Sequence, residues 1–296
     1  MELFPSMILL DGPTGTELQR KGFDTRLPLW SARALLDAPE TVQAIHEEYI
    51  GAGASVITTN SFRTNRRVAE RAGLPDGSAE ELTRLSVQIA QRARAASGRA
   101  DILIAGSDAP VEDCYEPDLV PTEDELYREH AEHLRWLAEA GSDFLLIETM
   151  NTLREAQAAC KAARELHMPY MVSLVTSPDG DRVLSGESLE DAVRVLHSFE
   201  PAGILINCSA PRSVLSGTSI LAALHDELEA DWKFGGYPNS GEPDPVLGWE
   251  FVHTVPVHEF TESARQMIAL GATVVGSCCG TTPEYTRELH SLLANG

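Results

Sequence analysis

The chain has 296 residues, of which 43% are hydrophobic and 23% are charged. This composition is typical of a globular protein and excludes a disordered chain. The formal net charge of -22 argues against nucleic acid or an anionic membrane as a partner, because both would be repelled. The length allows either two small domains or one large α/β domain.

Short runs rich in Val, Ile and Leu recur along the chain, and segments with helical periodicity lie between them. The runs predict eight strands, at 7–11, 55–60, 102–107, 144–148, 170–176, 202–208, 233–237 and 273–278. The periodic segments predict helices at 39–52, 78–96, 122–140, 153–166, 188–199, 259–270 and 283–293. The seventh strand has the weakest pattern, because Gly235 and Gly236 lower its strand propensity.

Start and stop signals support several of these helices. Thr282 before Pro283 is typical of an N-cap followed by proline in the first turn, and Gly141 and Gly271 follow two helices where C-terminal glycines belong. Eight repeats without a low-complexity linker favour one α/β domain over residues 1–296, a single (β/α)8 (TIM) barrel.

The N-terminal segment and the number of cysteines indicate the cellular compartment of the protein. The N-terminal segment does not resemble a secretion signal, because it lacks a basic start and is interrupted by Pro5 and Ser6. No apolar stretch is long enough to span a bilayer. Five cysteines are an odd number and too few for a disulfide framework in a chain of this length. We therefore expect a reducing, cytoplasmic location.

Polar residues end the predicted strands, and in a barrel of this kind the active site lies at the carboxyl ends of the strands. These residues are expected to gather on one rim: Asp11, Asn60, Ser107, Glu148, Thr176, Asn207, Cys208, Asn239, Cys278 and Cys279.

Three of the rim residues are cysteines, and they predict a metal site. Cys208 ends the sixth strand, Cys278 ends the eighth, and Cys279 follows it in a pair that glycines flank. Side chains from alternate strands share a layer in such barrels, so the three sulfurs can converge. Zinc accepts three protein sulfurs and leaves its fourth position open in catalytic sites. The alternative for each cysteine alone is a small buried hydrophobe, which we expect for Cys160.

The histidines do not support a zinc hydrolase, since most of the nine fall in helices or loops away from strand ends. We interpret His130 and His133, at i and i+3, as a solvated helix face. Three thiolates more than neutralise Zn²⁺, which makes the metal a poor activator of water and a good holder of another soft sulfur. A thiol substrate would bind as a thiolate and stay nucleophilic at neutral pH.

The motifs resemble those of the homocysteine S-methyltransferase family, whose domain is a zinc-dependent (β/α)8 barrel. The resemblance spans the chain and is strongest for the cysteine trio combined with Tyr-Pro-Asn-Ser-Gly-Glu. The matching segments are Asp-Gly-Pro-Thr-Gly-Thr (11–16), Thr-Thr-Asn-Ser-Phe (58–62), Glu-Thr (148–149), Asn-Cys-Ser (207–209), Tyr-Pro-Asn-Ser-Gly-Glu (237–242) and Gly-Ser-Cys-Cys-Gly-Thr (276–281).

The resemblance implies roles for the rim residues. Cys208, Cys278 and Cys279 would bind zinc, and the zinc would bind the homocysteine sulfur. Glu148 would take the substrate ammonium group, with further contacts from Thr149, Asn60 and Asp11. For Asp11 and Asn60 the alternative is that they satisfy loop backbone groups. Trp30 resembles an aromatic residue near the donor pocket of the family, although an indole there can equally be packing.

Two segments depart from the family pattern. Ser277 stands where the family usually has glycine, which alters the backbone beside Cys278 without removing a ligand. The acidic segment 107–121 after the third strand does not follow the commonest family version. It either shapes donor choice or is a solvated lid, and we expect Cys114 within it to lie outside the site.

The reaction implied by the resemblance is methyl transfer from a small onium donor to the homocysteine thiol, giving methionine. S-Methylmethionine and S-adenosylmethionine are favoured as donors and betaine is possible, because a chain used up by one barrel has no folate or corrinoid domain. The alternatives are a methyltransferase for another thiol or selenol, a non-catalytic zinc- or thiol-binding protein, and a protein in which Cys278 and Cys279 form a redox pair.

Overall fold

The computed structural model of the chain describes residues 3–243, 251–252 and 254–295. Eight parallel strands form one sheet in the order β1-β10-β7-β6-β5-β4-β3-β2. They are β1 (Ile8–Leu9), β2 (Val56–Thr58), β3 (Leu103–Asp108), β4 (Phe144–Met150), β5 (Tyr170–Leu174), β6 (Gly203–Asn207), β7 (Lys233–Tyr237) and β10 (Val274–Val275). The short strands β8 (Glu242–Pro243) and β9 (Phe251–Val252) pair antiparallel outside this sheet.

A single parallel bridge between Leu10 and Val56 joins the two edge strands, β1 and β2. The backbone N–H of Asp11 adds a hydrogen bond of 3.0 Å to the Val56 carbonyl oxygen. The sheet therefore closes on itself, which confirms the predicted (β/α)8 barrel.

The glycines of β7 allow its neighbours to approach. A Cβ atom on Gly235 would lie 1.8 Å from the Val274 carbonyl oxygen of β10, and Gly235 has a φ of +153°. A Cβ atom on Gly236 would lie 2.3 Å from a methyl group of Val214. Both glycines thus serve close packing, and the predicted seventh strand is confirmed at 233–237.

Helices surround the sheet. They are α1 (Thr14–Arg20), α2 (Arg33–Asp37), α3 (Pro39–Gly51), α4 (Arg66–Arg71), α5 (Ser78–Ser97), α6 (Glu123–Glu139), α7 (Leu153–Glu165), α8 (Leu189–His197), α9 (Pro211–Glu227), α10 (Val257–Ala269) and α11 (Pro283–Ala294). All seven predicted helices are present with ends within two residues. Thr282 caps α11 by accepting a hydrogen bond from the Glu284 N–H, and Gly141 and Gly271 follow α6 and α10 in the left-handed conformation.

The core has two layers. Side chains including Ile8, Phe144 and Leu205 fill the barrel interior, and Phe4 packs edge-on against Phe144 with ring centroids 5.0 Å apart. A larger apolar layer lies between the strands and the helices, and it contains Cys160 as predicted. Among the described residues, no helix combines the length and apolarity needed to cross a bilayer.

The interpretation of His130 and His133 as a solvated helix face is wrong. Both side chains of α6 are buried and point to Asp108 at the end of β3. His130 Nδ1 lies 2.7 Å and His133 Nδ1 lies 2.8 Å from the two Asp108 carboxylate oxygens. His130 Nε2 is 3.3 Å from Glu155 Oε1, and His133 Nε2 is 3.1 Å from Thr64 Oγ1.

Charge pairing controls the ionisation of this cluster. Burial alone would lower the pKa of His130, but Asp108 and Glu155 outweigh it and raise the pKa to about 10. Burial alone would raise the pKa of Asp108, but His130 and His133 outweigh it and lower the pKa. The cluster therefore contains a buried ion pair at neutral pH.

Candidate active site

A cavity of about 80 Å³ opens at the carboxyl ends of the strands. The loop that follows β1 contributes Asp11 to Gly15, and the ends of β2, β3, β4, β6, β7 and β10 contribute further polar, aromatic and thiol residues. The lining includes Asp11, Gly15, Trp30, Asn60, Phe62, Ser107, Glu148, Cys208, Tyr237, Ser277, Cys278 and Cys279. The location agrees with the rim predicted from the strand ends, although three of the predicted rim residues do not line the cavity: Thr176, Asn207 and Asn239.

The three predicted cysteines meet in this cavity. Their sulfur atoms all lie within 4.8 Å of one another. Cys208 Sγ is 2.6 Å from Cys278 Sγ, and the sulfurs of Cys278 and Cys279 are 4.0 Å apart. Cys208 and Cys279 are buried, while Cys278 is partly exposed.

The backbone around the cysteines adopts the left-handed conformation at three non-glycine residues of the site. Cys208 has a φ of +46°, Thr149 of +64° and Trp30 of +47°. Such conformations cost about 1–3 kcal/mol each and cluster at functional sites. The strained backbone at these residues lowers the stability of the fold and sets the direction of the three side chains.

The cysteine trio fits a zinc ion. Zinc with Zn–S bonds of about 2.3 Å in tetrahedral geometry separates its sulfurs by about 3.8 Å. The spacing of Cys278 and Cys279 matches this value, and the spacing of Cys208 and Cys278 has to open by about 1 Å. Hydrogen bonds from Cys278 and Cys279 lower the pKa of Cys208, while the pKa values of the other two thiols are raised. Metal binding would replace the remaining thiol protons.

Glu148, on β4, is the second feature of the cavity. The Ser107 hydroxyl donates a hydrogen bond to Glu148 Oε1, and the Tyr237 hydroxyl donates one of 3.3 Å to Oε2. Burial, with smaller contributions from the charges of Cys208 and Asp11, outweighs these hydrogen bonds and raises the pKa of Glu148 to about 8. A carboxyl group with such a raised pKa is prepared to bind a cation, because a cation restores the ionised form.

A hydrogen-bond chain connects Glu148 to the cysteines. The Tyr237 hydroxyl lies 2.8 Å from Ser173 Oγ, which donates to Asn207 Oδ1 at 2.8 Å. Asn207 Nδ2 donates to Thr149 Oγ1 at 2.8 Å, and Thr149 Oγ1 is 3.8 Å from Cys208 Sγ. The chain fixes the orientation of groups from β4, β5, β6 and β7.

Asp11 lines the opposite side of the cavity, at the seam of the barrel. Its carboxylate accepts hydrogen bonds from Thr58 N at 2.8 Å and from Thr58 Oγ1 at 2.9 Å. Burial nevertheless raises the pKa of Asp11 to about 7. The side chain both satisfies a backbone group, as one prediction held, and lines the cavity.

Glu148 makes the stability of the metal-free protein depend on pH. Its pKa rises from 4.5 to about 8 on folding, so between these values only the folded chain keeps the proton. Stability therefore falls as the pH rises through this window, by up to about 1.4 kcal/mol per pH unit. We expect metal-free Glu148→Gln, which has no proton to lose, to melt at a higher temperature than wild type at pH 8 but not at pH 5. Circular dichroism melts check this, and equal shifts at both pH values would contradict it.

Asn60 and Trp30 form one wall of the cavity. The Asn60 amide donates a hydrogen bond of 2.9 Å to the Ser31 carbonyl oxygen, so it fixes the segment that carries Trp30. The Trp30 indole packs against Phe62 with ring centroids 5.8 Å apart. A Cβ atom on Gly15 would lie 2.3 Å from the indole, so glycine is required there for Trp30 to enter the cavity.

The segment 107–121 is not a solvated lid. Residues 107–112 and Cys114 are buried, and the exposed part is confined to 116 and 118–119. Glu155 accepts a hydrogen bond of 2.9 Å from Val111 N, and Asn151 donates one of 3.1 Å to the Asp113 carbonyl oxygen. The Tyr115 hydroxyl lies 3.4 Å from the Cys208 carbonyl oxygen. The segment is therefore a fixed wall that packs against the cysteines.

Cys114, Asn239 and Ser277 have different surroundings. Cys114 is buried behind the cavity and does not line it, as predicted. Asn239 is buried beside the Cys278 loop, and neither polar atom of its side chain has a hydrogen-bond partner among the residues that the structure describes. Ser277 lines the cavity, and its backbone N–H lies 3.4 Å from the Asp11 carbonyl oxygen.

Sequence reasoning missed several residues of the site. Tyr237 and Ser107 stood in the predicted motif or rim, but nothing in the sequence showed that both hydrogen bond to Glu148. Phe62 was part of a quoted motif without a role, and Arg63, next to it, was not noticed. Only a contact map supplies these relations, because the partners lie 41 or more residues apart.

Comparison with known proteins agrees with this geometry. The sequence profile described as homocysteine S-methyltransferase matches residues 8–293. Homocysteine S-methyltransferase 3 of Zea mays is 31% identical over 98% of this chain and 90% of its own length. Selenocysteine methyltransferase of Astragalus bisulcatus is 32% identical over 97% of this chain and 93% of its own length.

A solved structure is similar over almost the whole chain. The metallated form of the homocysteine methyltransferase MmuM from Escherichia coli superposes with a TM-score of 0.84 at 26% sequence identity. The match covers 97% of this chain and 96% of MmuM. Profile, relatives and fold agree along the full barrel, and the chain therefore belongs to the homocysteine S-methyltransferase family of enzymes.

Proposed function

We propose that this enzyme transfers a methyl group from a small onium donor to the thiol of homocysteine, giving methionine, with zinc held by Cys208, Cys278 and Cys279. S-Methylmethionine and S-adenosylmethionine are the favoured donors, and betaine is possible. The observation that carries the proposal is the meeting of three cysteine sulfurs with Glu148 and Asp11 in one cavity. We also propose that residues 1–296 act as one domain in the cytoplasm.

The protein groups bind and orient the acceptor. Zinc, when bound, would keep a thiol ionised at neutral pH by lowering its pKa. Glu148 is placed to pair with the substrate ammonium group, and Asp11 faces the same cavity. The Thr149 hydroxyl donates to Cys208 Sγ and so orients this ligand. The aromatic side chains of Trp30 and Phe62 exclude water and offer a surface to a cation.

The reaction requires little acid-base chemistry. The homocysteine sulfur forms a bond to the methyl carbon while the bond from that carbon to the onium centre breaks, and the leaving group takes the electron pair. The positive charge of the donor is neutralised in this step, so the leaving group needs no proton. Alignment of the two substrates then supplies much of the rate enhancement.

The test is methionine formation by zinc-loaded protein from homocysteine, with S-methylmethionine, S-adenosylmethionine and betaine offered in parallel. Turnover with one donor supports the proposal and identifies the leaving group. No turnover with any of the three, in protein that contains one zinc per chain, would refute the proposed donor class.

We expect Glu148→Gln to raise the KM for homocysteine by about 10- to 100-fold, because a charge-assisted contact to the substrate ammonium group is lost. The KM for the donor should stay within about twofold if only the acceptor contact is affected. Steady-state kinetics with each substrate varied in turn measures both values. Glu17→Gln is the control, since Glu17 is a buried carboxylate that does not line the cavity. An unchanged homocysteine KM in Glu148→Gln would remove the assigned role.

A selenol is the second candidate acceptor. The 32% identity to a selenocysteine methyltransferase favours it, and a site of three thiolates suits selenium as well as sulfur. The ratio of kcat/KM for selenocysteine and homocysteine with one donor decides between the two acceptors.

A further inference from the structure

Arg63 carries a buried guanidinium group for which no ion pair exists among the described residues. The residue is 5% exposed. Its Nη1 donates a hydrogen bond of 3.1 Å to the Glu112 carbonyl oxygen, and its Nε is buried without a partner. Arginine is rarely buried to this extent without a carboxylate or another anion. The missing partner points to an anionic group that the described residues do not provide.

The side chain of Glu112, whose backbone contacts Arg63, does not fill this role. The Glu112 carboxylate is bound by Arg67 at 3.0 Å and by both terminal nitrogens of Arg71. Only the backbone carbonyl of Glu112 faces Arg63. Two arginines thus share one carboxylate nearby, while the most buried of the three arginines has none.

Arg63 lies close to the catalytic cavity. It follows Phe62, and both Phe62 and Asn60 line the cavity. Its guanidinium contacts the segment that packs Tyr115 against Cys208 and Cys279. Arg63 itself does not line the cavity, so an anionic ligand part would have to extend from the cysteines past Phe62 to reach it.

We propose that Arg63 binds a substrate carboxylate and thereby selects onium donors that carry one. The inference rests on the proposed function, because it assigns part of the donor site. Homocysteine also has a carboxylate, but its ammonium group is assigned to Glu148 on β4, whereas Arg63 follows β2. A bidentate guanidinium–carboxylate contact is the strong, directional interaction that would satisfy the buried Nε group.

Isothermal titration calorimetry on the zinc-loaded protein tests the proposal with two matched pairs of compounds. S-Methylmethionine is compared with (3-aminopropyl)dimethylsulfonium, and homocysteine with 3-aminopropane-1-thiol; each second compound lacks only the carboxylate. Arg63→Gln keeps a donor for the Glu112 carbonyl but loses the charge. We expect it to weaken S-methylmethionine binding by about 10- to 100-fold and binding of the carboxylate-free donor by less than about threefold.

Two further variants separate the effect of the Arg63 charge from the effect of its hydrogen bond to the segment 107–121. Arg154→Gln is the control, because Arg154 also donates hydrogen bonds to carbonyls of this segment, at Val120 and Pro121. It should leave the preference for the carboxylate unchanged. Arg63→Lys should restore part of the affinity, since it keeps the charge without the fork of donors.

Three results would overturn the proposal for the donor. One is an equal loss for both donor compounds in Arg63→Gln, and another is wild-type protein that does not prefer S-methylmethionine to its carboxylate-free analogue. The third is a loss confined to the homocysteine pair, which would assign Arg63 to the acceptor. Methionine formation by wild type is measured separately, so an inactive protein that still shows the Arg63-dependent preference refutes the reaction and not the carboxylate site.

Discussion

Cys208→Ser is expected to lose zinc and to form methionine at least about thirtyfold more slowly while the barrel stays folded. A free thiol with a pKa near 8.5 is only about 3% ionised at pH 7, so loss of the metal alone lowers the thiolate concentration by this factor. Misalignment of the acceptor adds to the effect. Metal analysis, circular dichroism and a methionine assay on the same preparation measure the three quantities.

Cys160→Ser is the matched control, because Cys160 is buried in the apolar layer on α7 and not in the cavity. It should keep zinc and activity even if its melting temperature falls. Full turnover by metal-depleted wild type, or zinc retained at unit stoichiometry in Cys208→Ser with normal activity, would refute the role of the cysteine trio.

The second large effect concerns stability. We expect Asp108→Asn to lower the free energy of unfolding by about 3–5 kcal/mol at neutral pH, because it removes one partner of a buried ion pair. Asp108 accepts hydrogen bonds from both His130 and His133, and its side chain is almost inaccessible. Urea unfolding followed by circular dichroism measures the difference from wild type.

The pH dependence of the loss in unfolding free energy shows whether the buried ion pair is its cause. The raised pKa of His130 stabilises the fold fully below its ordinary value of 6.5, and this contribution is lost as the pH rises through about 10. The lowered pKa of Asp108 contributes above its ordinary value of 3.8 and is lost as the pH falls below it. The effect of Asp108→Asn should therefore be largest near pH 4–6.5 and decline toward pH 10.

Asp101→Asn provides the comparison for this pair. Asp101 forms an exposed ion pair with Arg99, and such pairs contribute about 0–1 kcal/mol. A loss in Asp108→Asn as small as that in Asp101→Asn would show that the buried cluster does not stabilise the fold.

The barrel and its cysteines were predictable because their signals are local. Each strand is a short apolar run, and each predicted helix has its own periodicity and caps. Helix α9 was not predicted, because its helix propensity is lowered by Ser213, Ser216, Gly217 and Thr218. Gly217 is present for packing, since a Cβ atom there would lie 2.2 Å from Ile206 Cδ1. Tertiary contact with β6 thus outweighs the local preference.

The buried polar groups were not predictable because their partners are remote in sequence. His130 and His133 stand on a Glu-rich helix, whose composition indicates solvent exposure. Their partner, Asp108, lies 22 and 25 residues earlier on a strand. Arg63 looks like one of several surface arginines in its segment until its burial is known. Periodicity identifies the two faces of a helix. When both faces contain polar and apolar residues, periodicity does not show which face is buried.

Asp11 adjoins the single bridge between the edge strands β1 and β2 and has two roles. It helps to join the two edges of the sheet, and it also lines the cavity. A ligand that contacts Asp11 therefore acts on the junction at which β1 and β2 close the barrel. Ligand binding at the site and folding of the barrel are therefore linked equilibria. A bound substrate stabilises the fold in addition to reacting.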